Sequence, residues 1–301
     1  MHISVLLDEV IKYLNLRSDS VVVDCTLGYG GHSYNILKKI PAGFLYAFDQ
    51  DDEAILSATK RLYTVASNFE IFNCNFEFLK AKISSEVDGI LFDLGVSSPQ
   101  LDEADRGFSF HKDACLDMRM DRSSSLSAYD VVNDYSYEQL VDIFYRYGEE
   151  KYATSIAKGI IKYRQSKKIE TTLELADIIK NNVPIKYRNA THPARKVFQA
   201  IRIEVNRELE VFEKTLRDAL SLLKVNGRIC VITFHSLEDR ICKQIFNEVS
   251  SVPKELRGMP VIPDMYMPKY KIIANVTASD EELKSNPRSR SARLRVIERI
   301  K

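Results

Sequence analysis

The spacing of apolar residues divides this chain into three stretches. In the first, a short β-branched run, Val21-Val22-Val23, ends in Asp24, and helical spacing opens at Ser33. Phe44-Leu45-Tyr46-Ala47-Phe48 is a second run, ending in Asp49, and helical periodicity continues through Asp52 to Leu62. Glu70 to Cys74 reads as a third strand. Gly89 to Leu94 reads as a fourth, apolar enough to be buried on both faces. This alternation predicts a parallel sheet with right-handed crossovers.

In the second stretch, from about Asp105 to Asn206, the strand pattern stops. Tyr137 to Phe144, Glu150 to Tyr163 and Thr172 to Lys180 carry apolar residues at helical spacing, and Pro184 and Pro193 punctuate the segment after them. In the third stretch the sheet resumes. One long amphipathic helix is expected over Val197 to Leu223, then a turn at Val225-Asn226-Gly227 into a strand over Arg228 to Thr233. A helix from Leu237, a proline-marked loop and strands over Tyr270 to Val276 and Leu294 to Arg299 complete the pattern. The fold class predicted is α/β, a seven-stranded Rossmann-like sheet formed by residues 1–104 and 207–301, with residues 105–206 inserted as a mainly helical domain.

Composition narrows the class. At 301 residues, 45% hydrophobic and 28% charged, the chain has the make-up of an ordinary soluble protein. No apolar run approaches the roughly 20 residues that span a membrane, and no signal-peptide pattern opens the chain, so a cytoplasmic protein is expected. The five cysteines are widely spaced without a C-x-x-C pair and the five histidines are scattered, which points to reduced thiols and to no metal site. Net charge is only +1, but its distribution is uneven. Between Lys186 and Arg207 there are six basic residues and one acid, and Asn286 to Arg295 holds four arginines and no acid. Basic patches on a neutral protein are the footprint of a polyanion partner.

The candidate chemistry lies at the strand ends. A glycine-rich turn, Gly28-Tyr29-Gly30-Gly31, sits between the first strand and the first crossover helix, where backbone N–H groups can approach a ligand. Asp49 stands at the place where a carboxylate takes a ribose diol. The dinucleotide pattern G-x-G-x-x-G would need glycine where Ser33 stands, and Asp24 beside the loop would repel a pyrophosphate. Both features favour S-adenosylmethionine over a nicotinamide cofactor, with Asp24 facing its positively charged amino-acid portion. Past the fourth strand, Asp93 and the turn Ser97-Ser98-Pro99 stand where an open α/β sheet places reacting groups.

Across nearly its whole length the chain resembles the RsmH (MraW) family of small-subunit ribosomal RNA methyltransferases. The resemblance is carried by His2 to Val10, the Gly28 to Ser33 loop, Asp93 through Asp102, Arg106-Gly107-Phe108-Ser109-Phe110, and Leu116-Asp117-Met118-Arg119-Met120. His192-Pro193-Ala194 through Asn206, Phe234 to Arg240 and Asn286 to Arg295 complete it. It departs in details: Cys25 and Ser289 stand where the family usually has alanine, and Arg195-Lys196 varies a basic pair. The resemblance implies S-adenosylmethionine-dependent methylation of N4 of a cytidine in the decoding region of 16S rRNA, within the small ribosomal subunit. It also implies cofactor contacts at Gly30, Gly31, His32, Asp49, Phe76, Asp93 and Gln100.

Cytosine N4 is a poor nucleophile that must also lose a proton, so acceptors are needed around it. Asp93, the Ser97-Ser98 turn and Asp117 are the candidates, the last on the expectation that apolar neighbours raise its pKa, with pairing to Arg119 or Arg122 as the equal alternative. Arg106, Arg119, Arg188, Arg195, Lys196 and Arg202, with Arg288 and Arg290 of the basic tail, are candidate phosphate contacts, and Phe108 and Phe110 candidate stacking rings.

Overall fold

The computed structural model describes residues 4–301 apart from 98, 99, 101, 102, 189–191 and 257. In chain order, the first stretch runs α1 (Leu7–Leu14), β1 (Val21–Asp24), α2 (Gly31–Lys39), β2 (Phe44–Asp49), α3 (Asp52–Leu62), β3 (Phe69–Asn73), α4 (Leu79–Lys82) and β4 (Val87–Asp93). The middle stretch holds α5 (Ala128–Asp134), α6 (Tyr137–Arg146), α7 (Ala153–Arg164), α8 (Thr172–Asn181), α9 (Ile185–Arg188) and α10 (Ala194–Asn206). The last runs α11 (Glu208–Leu222), β5 (Leu223–Thr233), α12 (Ser236–Val249), β6 (Tyr270–Thr277), α13 (Asp280–Ser285) and β7 (Arg293–Arg299).

The seven strands form one sheet in the order β3-β2-β1-β4-β5-β7-β6. Pairings among β1 to β5 are parallel, and β7 runs antiparallel to both β5 and β6. Central β4 is buried from Val87 to Phe92, which explains why Gly89 to Phe92 is a continuous apolar run instead of an alternating one. Apolar layers cover both faces. Leu79, Phe212, Leu216 and Phe246 pack on one side with Ile90 and Phe92, and Leu6, Val10, Ile36 and Leu37 pack on the other with Leu45 and Leu91.

The chain divides into two compact units, one of residues 1–95 and 209–301, the other Val96–Glu208. The second begins at Val96, earlier than the Asp105 expected, because Val96 already packs with the helical core. It ends at Glu208, which pairs back onto Arg202 within the same unit. Its helices start where local chemistry dictates: Ser127, Ser136 and Thr171 cap α5, α6 and α8, each in a reciprocal capping box with the side chain three residues on. Leu140, Phe144, Ile156, Ile160, Leu175, Ile179, Val197 and Ile201 fill the interior.

Two local expectations are corrected. The single helix expected over Val197 to Leu223 is two, because Arg207 adopts a left-handed backbone (φ 51°) that ends α10 before α11 begins. The expected turn at Val225-Asn226-Gly227 lies inside β5. Asn226 takes a positive φ there, and the pairing with β4 slips between Val87 and Gly89, so the extra residues bulge without ending the strand.

Candidate active site

Three neighbouring parallel strands, β2, β1 and β4, each end in an aspartate: Asp49, Asp24 and Asp93. After β1 the chain builds β2 and β3 on one side and then returns to place β4 on the other. That reversal opens a crevice at the carboxyl end of β1, the usual ligand position of an open α/β sheet. The glycine loop lies there. Gly28 and Gly30 both hold left-handed backbone, φ 49° and 74°. A Cβ on Gly30 would approach Ala58 Cβ to 3.2 Å, so this glycine lets the loop close on α3. A Cβ on Gly28 would meet nothing within 4 Å, which leaves room for a ligand against the backbone.

The three carboxylates have different surroundings. Asp24 is 1% exposed; it accepts hydrogen bonds from the Ser33 hydroxyl (2.7 Å) and the Thr26 N–H (3.1 Å). Burial pushes its pKa up, against those bonds and the nearby His32. Asp24 therefore braces the loop against α2. Asp49 accepts the Gly28 N–H at 2.7 Å on one oxygen and the Asp51 N–H at 3.0 Å on the other. Desolvation raises its pKa to about 6, with the backbone bonds opposing. With four lone-pair sites, the carboxylate keeps room for a ligand hydroxyl beside these N–H groups.

Asp93 is held by its own N–H, which donates to Thr26 Oγ1 at 2.6 Å. Its Oδ2 lies 3.4 Å from Nε2 of His32, which is 5% exposed on the first turn of α2. That approach falls short of hydrogen-bond geometry, and both ring nitrogens of His32 and Oδ1 of Asp93 are buried without a hydrogen-bond partner among the described residues. Burial works against a charged imidazole, yet Asp93, then Asp24 and Glu282, outweigh it and raise the His32 pKa. Orphaned polar atoms beside an open glycine loop fit a polar ligand.

The other candidates are more scattered. Gly31 opens α2, where an added Cβ would run into the Ser4 hydroxyl. Phe76, just beyond β3, packs edge-on to Phe92 (5.8 Å) and is half-buried, so one part of the ring serves the core. Gln100 belongs to the other unit, where its Oε1 accepts the Ser97 N–H at 3.0 Å. Ser98, Pro99, Leu101 and Asp102 lie outside the described residues. Sequence reasoning missed Thr26 and Ser33 as the partners that set the aspartates. It also missed Glu238, whose Oε2 accepts the Phe234 N–H (2.7 Å) at the end of β5. A hydroxyl two residues after a strand-end carboxylate was the available signal for Thr26.

Asp117 does not fit the role of a base. Arg119 grips it at 2.8 Å and 2.9 Å through two guanidinium nitrogens, and its N–H donates to the same carboxylate at 3.0 Å. Burial alone would raise the Asp117 pKa, but these bonds more than offset it and hold the carboxylate below its ordinary value. The pair is about a quarter exposed. Asp117→Asn should therefore cost on the order of 1 kcal/mol of stability while leaving the chemical step intact. Because the folded pKa is depressed, this stabilisation is present above pH ~4 and is lost as pH falls through the folded value. Denaturant titrations at pH 7 and pH 3 should show a smaller wild-type advantage at the lower pH.

The same geometry removes three candidate phosphate contacts. Arg106 is 3% exposed and donates to the Arg119 and Met120 carbonyls. Arg119 is occupied by Asp117 and by the Arg122 and Ser124 carbonyls. Arg202 pairs with Glu208 through two bonds, at 2.7 and 2.8 Å. Arg188 donates to the Val183 carbonyl, and Lys196 to that of Glu149. Arg195 and Arg290 are exposed, their guanidinium groups without a partner among the described residues, and Arg288 is exposed as well. Phe108 is core, at 5% exposure.

A parallel sheet ending in an antiparallel seventh strand, with its glycine loop at the switch point, defines a Rossmann-like methyltransferase domain. The chain belongs to the MraW methylase family, whose model matches residues 1–300. It is 52% identical over 307 aligned positions to the ribosomal RNA small subunit methyltransferase H of Exiguobacterium sibiricum, covering 100% of this chain and 98% of that protein. Among solved structures, an rRNA methylase from Streptococcus thermophilus aligns over 98% of this chain and 94% of its own at 11% identity, with a TM-score of 0.45, too low to add weight to the family match. Among the described residues no helix is long and apolar enough to cross a membrane, and no cluster of potential metal ligands is found.

Proposed function

We propose that this protein transfers a methyl group from S-adenosylmethionine to N4 of a cytidine in the decoding region of 16S rRNA, acting in the cytoplasm on the small ribosomal subunit. One observation supports the cofactor most directly: the open space at Gly28 lies beside three strand-end carboxylates, one with an orphaned buried oxygen. The substrate reading is supported by the near full-length match to a small-subunit rRNA methyltransferase.

S-adenosylmethionine, when bound, supplies an electrophilic methyl group on a positively charged sulfur. Gly28, Gly30 and Gly31 would hold it against the backbone, with Asp49 accepting from the ribose hydroxyls and the exposed part of the Phe76 ring against the adenine. Catalysis then depends on the attacking nitrogen. The N4 lone pair is delocalised into the cytosine ring, and the amino group must shed a proton as the new N–C bond forms. Asp93 Oδ1 accepts an amino N–H, orients the nitrogen and receives that proton. His32, its pKa raised by its acidic neighbours, places its ring nitrogen 3.4 Å from the other oxygen of Asp93. Orientation of the base is the main requirement, since the leaving group needs no protonation.

The test is to incubate the protein with small subunits from cells that lack it and with methyl-labelled S-adenosylmethionine, then digest the rRNA to nucleosides. Label in N4-methylcytidine at one decoding-region position is expected. Label on carbon 5, or on protein alone, overturns the reading.

A further inference from the structure

In the helical unit, a column of rings runs from the core to the surface. Phe198 of α10 is 3% exposed and belongs to the core. Phe110 stands edge-on to it, centroids 5.5 Å apart, and His192 stacks on Phe110 at 4.4 Å with planes 19° apart. His111 leans against both, 4.4 Å from Phe110 and 5.3 Å from His192. Phe110 is half-buried and both histidines are exposed, so the column ends in two planar rings at the solvent boundary.

These rings are fixed in place. His192 Nδ1 accepts the Ala194 N–H at the start of α10 (3.3 Å), and the His111 ring is held by its contacts with Phe110 and His192, its backbone N–H donating to the Ser109 hydroxyl (3.2 Å). Burial, followed by His111 and Lys180, lowers the His192 pKa, which leaves a neutral ring at pH 7. Two exposed cations accompany it: Lys180 acts on His192 electrostatically, and Arg195, in the first turn of α10, has its guanidinium unpartnered among the described residues. Rigid flat rings flanked by free cations are the elements that bind unpaired nucleotides, the rings taking a base and the cations its phosphates.

We infer that Phe110, His111 and His192 form a stacking platform for an unpaired base of single-stranded RNA, with Arg195 and Lys180 holding the adjoining phosphates. The inference rests on the RNA-methyltransferase reading and adds to it a site on the helical unit. Pre-ordered rings lower the entropic cost of capturing a flexible strand.

The probe is a single-stranded RNA of roughly 12 nucleotides containing one 2-aminopurine, compared with the same sequence in a duplex, and bound to the full-length protein. For wild type, binding of the single strand should change the 2-aminopurine emission. His192→Ala and His192→Leu should weaken it about 10-fold, while His192→Tyr, which keeps a planar ring, should restore it. Duplex affinity, cofactor affinity and melting temperature should stay unchanged in all three. Arg195→Ala should reduce the slope of log affinity against log salt by about 1. Wild-type affinity in both His192→Ala and His192→Leu overturns the platform, as does failure of wild type to bind the single strand. Stacking without methyl transfer to small subunits leaves the platform standing and removes the methyltransferase reading; transfer with unaltered RNA binding in the variants does the reverse.

Discussion

Asp93→Ala is expected to slow methyl transfer by roughly 1000-fold, the scale of a lost general base that also positions its substrate. The Asp93 backbone is anchored separately through Thr26, so the end of β4 should keep its place. Asp93→Asn separates two contributions, because the amide still accepts a hydrogen bond at its oxygen but cannot take the proton. Single-turnover transfer to small subunits should therefore fall in both variants, while calorimetric affinity for S-adenosylmethionine falls less than the rate. His32 provides an independent signature. With Asp93 gone its largest raising influence is lost and burial dominates, so its pKa should drop, and an NMR titration of the imidazole would show it. A rate within a few-fold of wild type in Asp93→Ala would remove Asp93 from the mechanism.

The second large effect concerns Asp49. Asp49→Ala should weaken S-adenosylmethionine binding by about 1–3 kcal/mol, through loss of charge-assisted bonds to the ribose. Because the carboxyl sits near pKa 6 in the free protein, pH adds a sharper test. Ribose hydroxyls donate to the ionised form, so binding pulls the pKa down and a proton competes with the cofactor. Affinity should be flat above pH 7 and decline by up to about tenfold per unit as pH falls below 6. The sign for the free fold is opposite. A carboxyl raised above its unfolded value destabilises the folded state at neutral pH, and that cost fades as pH falls through about 6. Asp49→Asn should flatten the pH dependence of binding. An unaltered affinity profile in that variant would place the ribose elsewhere.

Much of the scaffold was legible in the residues. The β-branched run before Asp24, the apolar stretch ending in Asp93 and the helical spacing of Thr172 to Lys180 all mark elements that are present, because burial period and element type are coupled locally. Boundaries were less legible. A helix through Arg207 satisfies the apolar pattern of both α10 and α11, and only the left-handed residue between them shows the break.

The candidate site divides in the same way. Residue types at the strand ends can be read from sequence, since glycine and aspartate at those positions have few other uses. Their roles cannot, because a carboxylate's charge state depends on partners far along the chain. Asp117 reads either as a base among apolar neighbours or as the partner of Arg119 or Arg122, and only the folded geometry decides for Arg119. Arg106 and Arg202 read as phosphate contacts and are held internally.

The sequence by itself determined the α/β alternation, the glycine loop, the acidic strand ends and the membership of a methylase family, all properties of short contiguous segments. Only the tertiary structure decided which of three aspartates turns inward, which keeps an unsatisfied oxygen and which arginines remain free. Those outcomes depend on desolvation and on long-range pairing, energies that exist only once distant segments are packed together.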